Sequence, residues 1–268
     1  DIQPLVNRLR ARPAVVVNFC EGLAGRAAGE AHVAGLLELL ETPYTGSNPE
    51  AILLCLNKIR TKRLMAGCGL PTPAYFEFER DHKKFSDVEL QTQVRAHQVE
   101  WPAVVKPAQQ DASQGILQSS VVENIPELRA AVEHVAKCYG FPVLVEQYVA
   151  GREFNIAVIE VPKAVALPIT EIVFQPTEEL RWSIVTYDAK WKVGGAEDRA
   201  TVPHCPADLD AKTAAELSRL AIDAVRLTGC RDYARIDLRL SPEGRPYVLE
   251  VNANPDLSPS GGLDRQLA

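Results

Sequence analysis

At 268 residues, 46% hydrophobic and 24% charged, the chain has a globular composition with length for one large core or two or three small ones, which excludes disordered and fibrous classes. A formal charge of −6 argues against a surface built for nucleic acid, while local Lys and Arg could still collect one small anion. No apolar run approaches the roughly 20 residues of a membrane span, so the expectation is a soluble, cytoplasmic protein without membrane partners. The six cysteines lie scattered, with no C-x-x-C pair and no His at metal-ligand spacing; they read as reduced thiols, mostly packing residues. The single methionine is Met65, so the chain does not open on an initiator, and the expectation is a fragment or a processed form.

Val15–Phe19 reads as a short buried strand, followed by a loop bearing Gly22, Gly25 and Gly29 and a helix with Val33, Leu36, Leu37 and Leu40 on one face. Strand, loop and helix in that order are an α/β signature. Turn formers from Gly46 to Pro49 place a boundary there, and a new helix starts near Ala51 and ends before Pro71-Thr72-Pro73. Trp101–Lys106 reads as a strand, Ala108–Gly115 as a small, polar loop, and Asn124–Tyr139 as a helix with Leu128, Ala131, Val132 and Val135 inward. Asn124 with Glu127 resembles a capping box. Strands then dominate: Val143–Glu146, Phe154–Val161, Val165–Phe174, Tyr233–Leu240 and Tyr247–Asn252. A helix over Asp210–Leu227 interrupts them, with Gly229 at the left-handed cap position.

The last two strands form a hairpin around Ser241–Arg245. Alternation puts Arg235, Asp237 and Arg239 on one face, and Glu250 and Asn252 on one face of the partner, opposite Leu249 and Val251. The register makes neighbours of Asp237 and Glu250 within a residue or two. Pattern alone favours a solvated face of Arg–Asp pairs. The alternative is a pair of carboxylates whose repulsion is relieved by a hard divalent cation such as Mg²⁺.

Gly229–Arg239 and Val248–Pro255 resemble the closing hairpin of the D-alanine–D-alanine ligase family of ATP-grasp enzymes. The same family is resembled, in its own order, at Leu36–Leu40 with Pro43–Ser47, at Asn57-Lys58 with Thr61-Lys62, at Gly69–Pro73, Val105–Pro107, Val143–Phe154 and Tyr187–Trp191. The resemblance covers nearly the whole chain and overturns the solvated-face reading.

It implies an α/β (α+β ATP-grasp) fold: a partial N-terminal domain over residues 1–50, then subdomains at 51–141 and 142–268 that clamp ATP between their sheets. It implies an ATP-dependent carboxylate–amine ligase working through an acyl phosphate, with D-alanine as the default substrate twice over, for peptidoglycan precursors. Asp237, Glu250 and Asn252 match the residues that hold Mg²⁺, two ions in the family, with Mn²⁺ as a substitute. Arg235 matches the residue that stabilises the transferred phosphoryl, and Ser113 and Lys190 match positions in the phosphate loop and the closing loop. Lys58 and Lys106 match phosphate-contacting lysines. Glu146, Gln147 and Val149 fall in the adenine-lining segment, and Glu153 matches the acid that takes the ribose hydroxyls. The family also implies a homodimer formed through N-terminal helices.

Departures cluster in the phosphate loop and the amino-acid pockets. Gln110, Asp111 and Ala112 stand where glutamate, glycine and serine are usual, and Asp111 is expected to restrict the backbone and weaken the grip on phosphate. Trp191 stands at a usual tyrosine and Gly261, beside Ser260, at a usual serine. Glu21 is a candidate substrate contact from its own loop. Two alternatives therefore remain: a ligase joining other amino acids, and a nucleotide-binding relative without activity.

Overall fold

A computed structural model describes residues 2–23, 25–79, 86–175, 177, 180–258 and 266. Its elements, in chain order, are α1 (Gln3–Leu9), α2 (Gly29–Leu39), α3 (Pro49–Leu56), α4 (Lys58–Gly67), β1 (Tyr75–Phe78), α5 (Asp87–Ala96), β2 (Ala103–Pro107), β3 (Val121–Val122), α6 (Ile125–Tyr139) and β4 (Val143–Gln147). There follow β5 (Arg152–Glu160), β6 (Ala164–Ala166), β7 (Thr170–Phe174), α7 (Tyr187–Trp191), α8 (Ala196–Arg199), β8 (Thr201–His204), α9 (Ala211–Thr228), β9 (Tyr233–Leu240) and β10 (Pro246–Asn252).

Two antiparallel sheets organise the chain. The first has the order β1-β4-β2-β3; the second runs β10-β9-β5-β7-β8, with β6 added on β5. Each is covered by helices on one face, as half-buried sheets require. Leu90 of α5 and Leu128 and Val132 of α6 pack on Phe76, Val105 and Val145 of the first sheet. Leu217, Ala221 and Ala224 of α9 pack on Phe154, Ile156, Ile236 and Leu238 of the second, joined by Ile52 and Cys55 of α3.

Local chemistry sets the helix ends. Asn48 accepts from the Ala51 N–H at 2.8 Å, with Pro49 in the first turn of α3. Asp210 caps α9 through the Lys212 and Thr213 N–H groups, and Gly229 ends it at φ +70°. Asn124 caps α6, but Glu127 reaches back to the Glu123 N–H at 2.8 Å rather than to that of Asn124.

Several expectations are corrected. Val15–Phe19 is no buried strand: it makes one isolated parallel bridge, Val16 to Tyr44, and Val15, Val17 and Phe19 are exposed. The expected strand over Val165–Phe174 is two short strands, because Pro168 between them has no N–H for a ladder. Only Cys55 and Cys230 are buried; Cys68 and Cys138 are exposed. β4 belongs to the first sheet, so the change of sheet falls between Gln147 and Arg152 rather than at 141/142.

Candidate active site

The faces of the two sheets turned away from their helices enclose a cleft of about 460 Å³. Alternation decides what reaches it. On β9, Ala234, Ile236 and Leu238 go to the core, which leaves Arg235, Asp237 and Arg239 for the cleft. Across the ladder Asn155 of β5 lies opposite Asp237, and Glu153 opposite Arg239. From β10, Glu250 lies opposite Asp237 and Asn252 opposite Arg235, as the hairpin pattern implies. The register shifts between Val248 and Glu250, leaving Leu249 as an extra residue. Leu249 therefore lines the cleft, where strict alternation had put it on the far face.

Asp237 is the hub of this floor. Arg235 donates to both of its oxygens, Nε to Oδ1 at 2.7 Å and Nη2 to Oδ2 at 2.8 Å. Asn155 Nδ2 adds a bond to Oδ1 at 2.8 Å, and Asn252 Nδ2 one to Oδ2 at 3.1 Å.

The roof comes from α4 and the first sheet. Asn57 caps α4 by accepting from the Arg60 N–H at 3.1 Å, which sets Lys58 in the first turn; the Lys58 N–H donates to the Ala108 carbonyl at 3.0 Å. The buried Lys58 ammonium lies 3.2 Å from Glu250 Oε2 and 3.4 Å from Asp111 Oδ1, and donates to the Gln110 carbonyl at 2.7 Å. Burial opposes its charge, but Glu250 and Asp111 outweigh burial and hold it protonated above the usual lysine range. Against the same effect of burial, Lys58, Lys106 and Arg235 hold the Glu250 carboxyl down at about 2.

One helical turn after Lys58, Lys62 is fully buried and lies 2.7 Å from Glu146 Oε2. Lys106 pairs with the other oxygen of the same carboxylate, as diagonal neighbours on β2 and β4 can. Burial alone would raise the Glu146 carboxyl; the two ammonium groups reverse that and hold it below its usual range.

At the far end of the cleft, Arg239 and Glu153 form a buried pair, and Arg239 Nη1 donates to the Val149 carbonyl at 2.8 Å. Burial raises the Glu153 carboxyl even against Arg239.

The loop Ala108–Gly115 crosses the entrance. Its left-handed residues are Ala112 (φ +58°), Ser113 (φ +59°) and Gly115 (φ +76°), so the expectation that Asp111 carries the backbone restriction is corrected. The loop is tied from both sides. Trp191 Nε1 of α7 donates to the Ala112 carbonyl at 3.0 Å, and the Tyr187 N–H to the Ile116 carbonyl at 2.9 Å. Lys190 stands at the mouth with Nζ 5.6 Å from the centre of the Trp191 ring.

Of the sequence candidates, Lys58, Lys106, Ser113, Lys190 and Trp191 line the cleft, as do Glu146, Gln147, Val149 and Glu153 and the floor group Arg235, Asp237, Glu250 and Asn252. Glu21 is exposed and is not brought to the cleft wall. Ser260 and Gly261 lie outside the described residues. Sequence reasoning missed Asn155, Lys62, Leu249 and the cleft role of Arg239. Lys62 had a signal in its four-residue spacing from Lys58 on one helix face.

Residues 64–261 match the family model described as D-ala D-ala ligase C-terminus. Among relatives, an uncharacterized protein, y4sG, of Sinorhizobium fredii is 33% identical over 244 residues, covering 91% of this chain and 66% of the relative. A D-alanine–D-alanine ligase of Bordetella petrii is 34% identical over 237 residues (88% and 66%), and one of Azoarcus sp. 34% over 236 (88% and 69%). The chain thus spans about two thirds of the length of the curated relatives it matches. A structure of D-alanine–D-alanine ligase from Bacillus anthracis complexed with ATP superposes with a TM-score of 0.76 over the whole chain and 77% of that one, at 23% identity. That likeness concerns the fold, an α+β ATP-grasp arrangement as the motifs implied.

Proposed function

This chain belongs to the D-alanine–D-alanine ligase family, and we propose that it is an ATP-dependent ligase that joins a carboxylate to an amine, with D-alanine as both substrates. The observation that supports this most is the convergence, in one cleft, of lysines from α4 and β2 with the Arg235, Asp237, Glu250 and Asn252 group of the facing sheet. A carboxylate is a poor acyl donor. Transfer of the γ-phosphoryl of ATP makes it an acyl phosphate, which the amine attacks to form the amide and expel phosphate.

Lys58 and Lys106 would hold phosphate oxygens, and the loop around Ser113 would cover them. Glu146, Gln147 and Val149 would border the adenine, and Glu153 would accept from the ribose. Arg235 would stabilise charge on the transferred phosphoryl and on the tetrahedral intermediate. Lys190 and Trp191 would close the entrance over the reacting groups.

Divalent Mg²⁺ suits the floor. Asp237 and Glu250 are cross-strand partners and Asn252 is close by, so two carboxylates and an amide offer hard oxygen donors on one face. Bound there, Mg²⁺, or Mn²⁺ in its place, would neutralise charge on the β- and γ-phosphates. Arg235 and Lys58 already compensate these carboxylates, so a bound metal would share them with those two cations or replace them. Among the described residues no helix is long and apolar enough to cross a membrane. A cytoplasmic site for cell-wall precursor synthesis and a homodimer belong to the same proposal.

A ligase for other amino acids is the second reading. Trp191 favours it: an indole has no hydroxyl to offer the second substrate, and its one N–H is taken by the Ala112 carbonyl. The test is phosphate release from ATP by the full-length protein against a panel of D- and L-amino acids. Stimulation by D-alanine alone supports the first reading, and stimulation only by pairs lacking D-alanine supports the second. No stimulation by any pair overturns both.

A further inference from the structure

We infer that Arg239 is a positioning residue that orients Glu153 as the acceptor for a ribose hydroxyl, so that the cleft selects ribonucleotides over 2′-deoxyribonucleotides. The inference rests on the reading that this cleft takes a nucleotide, and it adds a residue to which no role has been given.

The geometry is that of a built device. Arg239 and Glu153 are direct cross-strand partners on β9 and β5, both line the cleft, and they are only 3% and 7% exposed. Nε and Nη2 of Arg239 both donate to Oε2 of Glu153, at 3.1 and 2.6 Å. A carboxylate oxygen has two acceptor sites, so those bonds fill Oε2 and leave Oε1 to accept from another donor. The guanidinium is itself immobilised. Nη1 donates to the Val149 carbonyl at 2.8 Å, Nη2 also reaches the Ser183 carbonyl, and Cζ lies 4.9 Å from the centre of the Tyr148 ring. These anchors span the β4–β5 connection and the chain before α7, so Glu153 inherits its orientation from two separate segments besides β9.

A structural ion pair needs none of this. It could sit anywhere in the sheet and use both carboxylate oxygens in a fork, as Arg152 does with Glu171. Arg239 instead loads one oxygen and spares the other inside the cleft. Without it, burial would disfavour a charged Glu153, and the carboxylate would lose both of its guanidinium donors.

The test is calorimetric binding of Mg-ATP and Mg-2′-deoxyATP to the full chain, without amino acids, for the wild type and for Arg239→Met, Arg239→Lys and Glu153→Gln. Wild type is expected to prefer ATP about tenfold, the worth of one hydrogen bond to a charged acceptor. Arg239→Met should weaken ATP several-fold and 2′-deoxyATP little, bringing the ratio near one. Arg239→Lys, which keeps charge without the fork, should fall between. Glu153→Gln should match Arg239→Met, with no further loss in the double variant. If Arg239→Met does not fold, the lysine variant carries the same comparison.

Equal weakening of both nucleotides by the Arg239 variants, or an unchanged ratio, overturns the inference. A wild type that binds neither nucleotide overturns the nucleotide reading and this role with it. Selective binding that shifts as expected, in a protein that ligates no amino-acid pair, supports the role of Arg239 and removes only the ligase reading.

Discussion

Glu146 carries the strongest stability prediction, because one buried carboxylate compensates two buried ammonium groups. Lys62 Nζ is 2.7 Å from Oε2 and is 0% exposed; Lys106 pairs with the other oxygen and is 6% exposed. At an effective dielectric of about 20, a unit pair at this separation attracts by about 6 kcal/mol before desolvation is subtracted. Removing one partner of a buried pair costs about 3–5 kcal/mol, because the remaining charge is left uncompensated. Glu146→Gln keeps the shape and one acceptor oxygen, so a loss of about 3 kcal/mol at pH 7 is expected, near the lower end of that range. With a urea slope of about 3 kcal/mol/M, the midpoint falls by about 1 M. The sign of the pH dependence follows from Lys62, whose pKa burial already lowers from 10.5. A lysine with a depressed folded pKa penalises the fold below that pKa, and the penalty is lifted as pH rises towards 10.5. The variant's deficit should therefore shrink between pH 7 and pH 10. A variant within about 0.5 kcal/mol of wild type at pH 7 would refute the reasoning, since that is the scale of an ordinary surface substitution.

Asp111→Gly frees Lys58 from one carboxylate at the place where phosphate is expected, so KM for ATP should fall about fivefold, the scale of a partly exposed pair; an unchanged or higher KM counts against the assignment of Lys58. Trp191→Phe removes the bond to the Ala112 carbonyl and should raise KM for ATP about fivefold in the phosphate-release assay, with little change in the thermal midpoint. Gly115→Ala places a Cβ 2.7 Å from the Tyr139 ring and 2.8 Å from Pro107 at φ +76°, so a loss of about 2 kcal/mol in urea unfolding is expected. Glu30 has its carboxyl pushed up to about 8, chiefly by burial and then by Asp111. A raised carboxyl contributes its stability below 4.5 and loses it as pH rises through 8, so wild type should weaken between pH 5 and pH 8 while Glu30→Gln stays flatter in urea unfolding.

The floor of the cleft was legible because β9 and β10 keep period two on either side of a Ser-Pro-Glu-Gly turn, and the ladder pairs Asp237 with Glu250. The exception is Leu249. A bulge adds one residue without any local marker in Val-Leu-Glu-Val, and the side chain changes face. Glu146 and Glu153 could not be told from solvated strand ends by pattern, because what buries them is remote: Lys62 comes from α4, and Arg239 lies 86 residues beyond Glu153. Val15–Phe19 failed in the opposite sense. Its apolar run has the composition of a core strand, but a strand is buried only by neighbours, and among the described residues it finds a single bridge to Tyr44.

The cleft also suggests how a charged nucleotide enters without stranding a buried ion. Lys58 faces Glu250 and Asp111, Lys106 faces Glu146, and Arg235 faces Asp237. A cleft of unpaired cations would bind phosphate more strongly on contact, but the fold would have to carry those charges uncompensated, at several kcal/mol each. Pairing within the cleft removes that cost and sets a condition on binding. Phosphate that displaced Glu250 from Lys58 would leave that carboxylate to Lys106 and Arg235 alone, and the oxygen donors of Glu250, Asp237 and Asn252 suit a divalent ion in the place Lys58 gives up. Metal and nucleotide should therefore bind with positive coupling, each completing the exchange the other begins. The Lys106–Glu146 pair differs, because Lys62 remains on Glu146 when Lys106 turns to phosphate. Lys106 would thus need no metal to take a phosphate, whereas the same contact at Lys58 would gain from the ion.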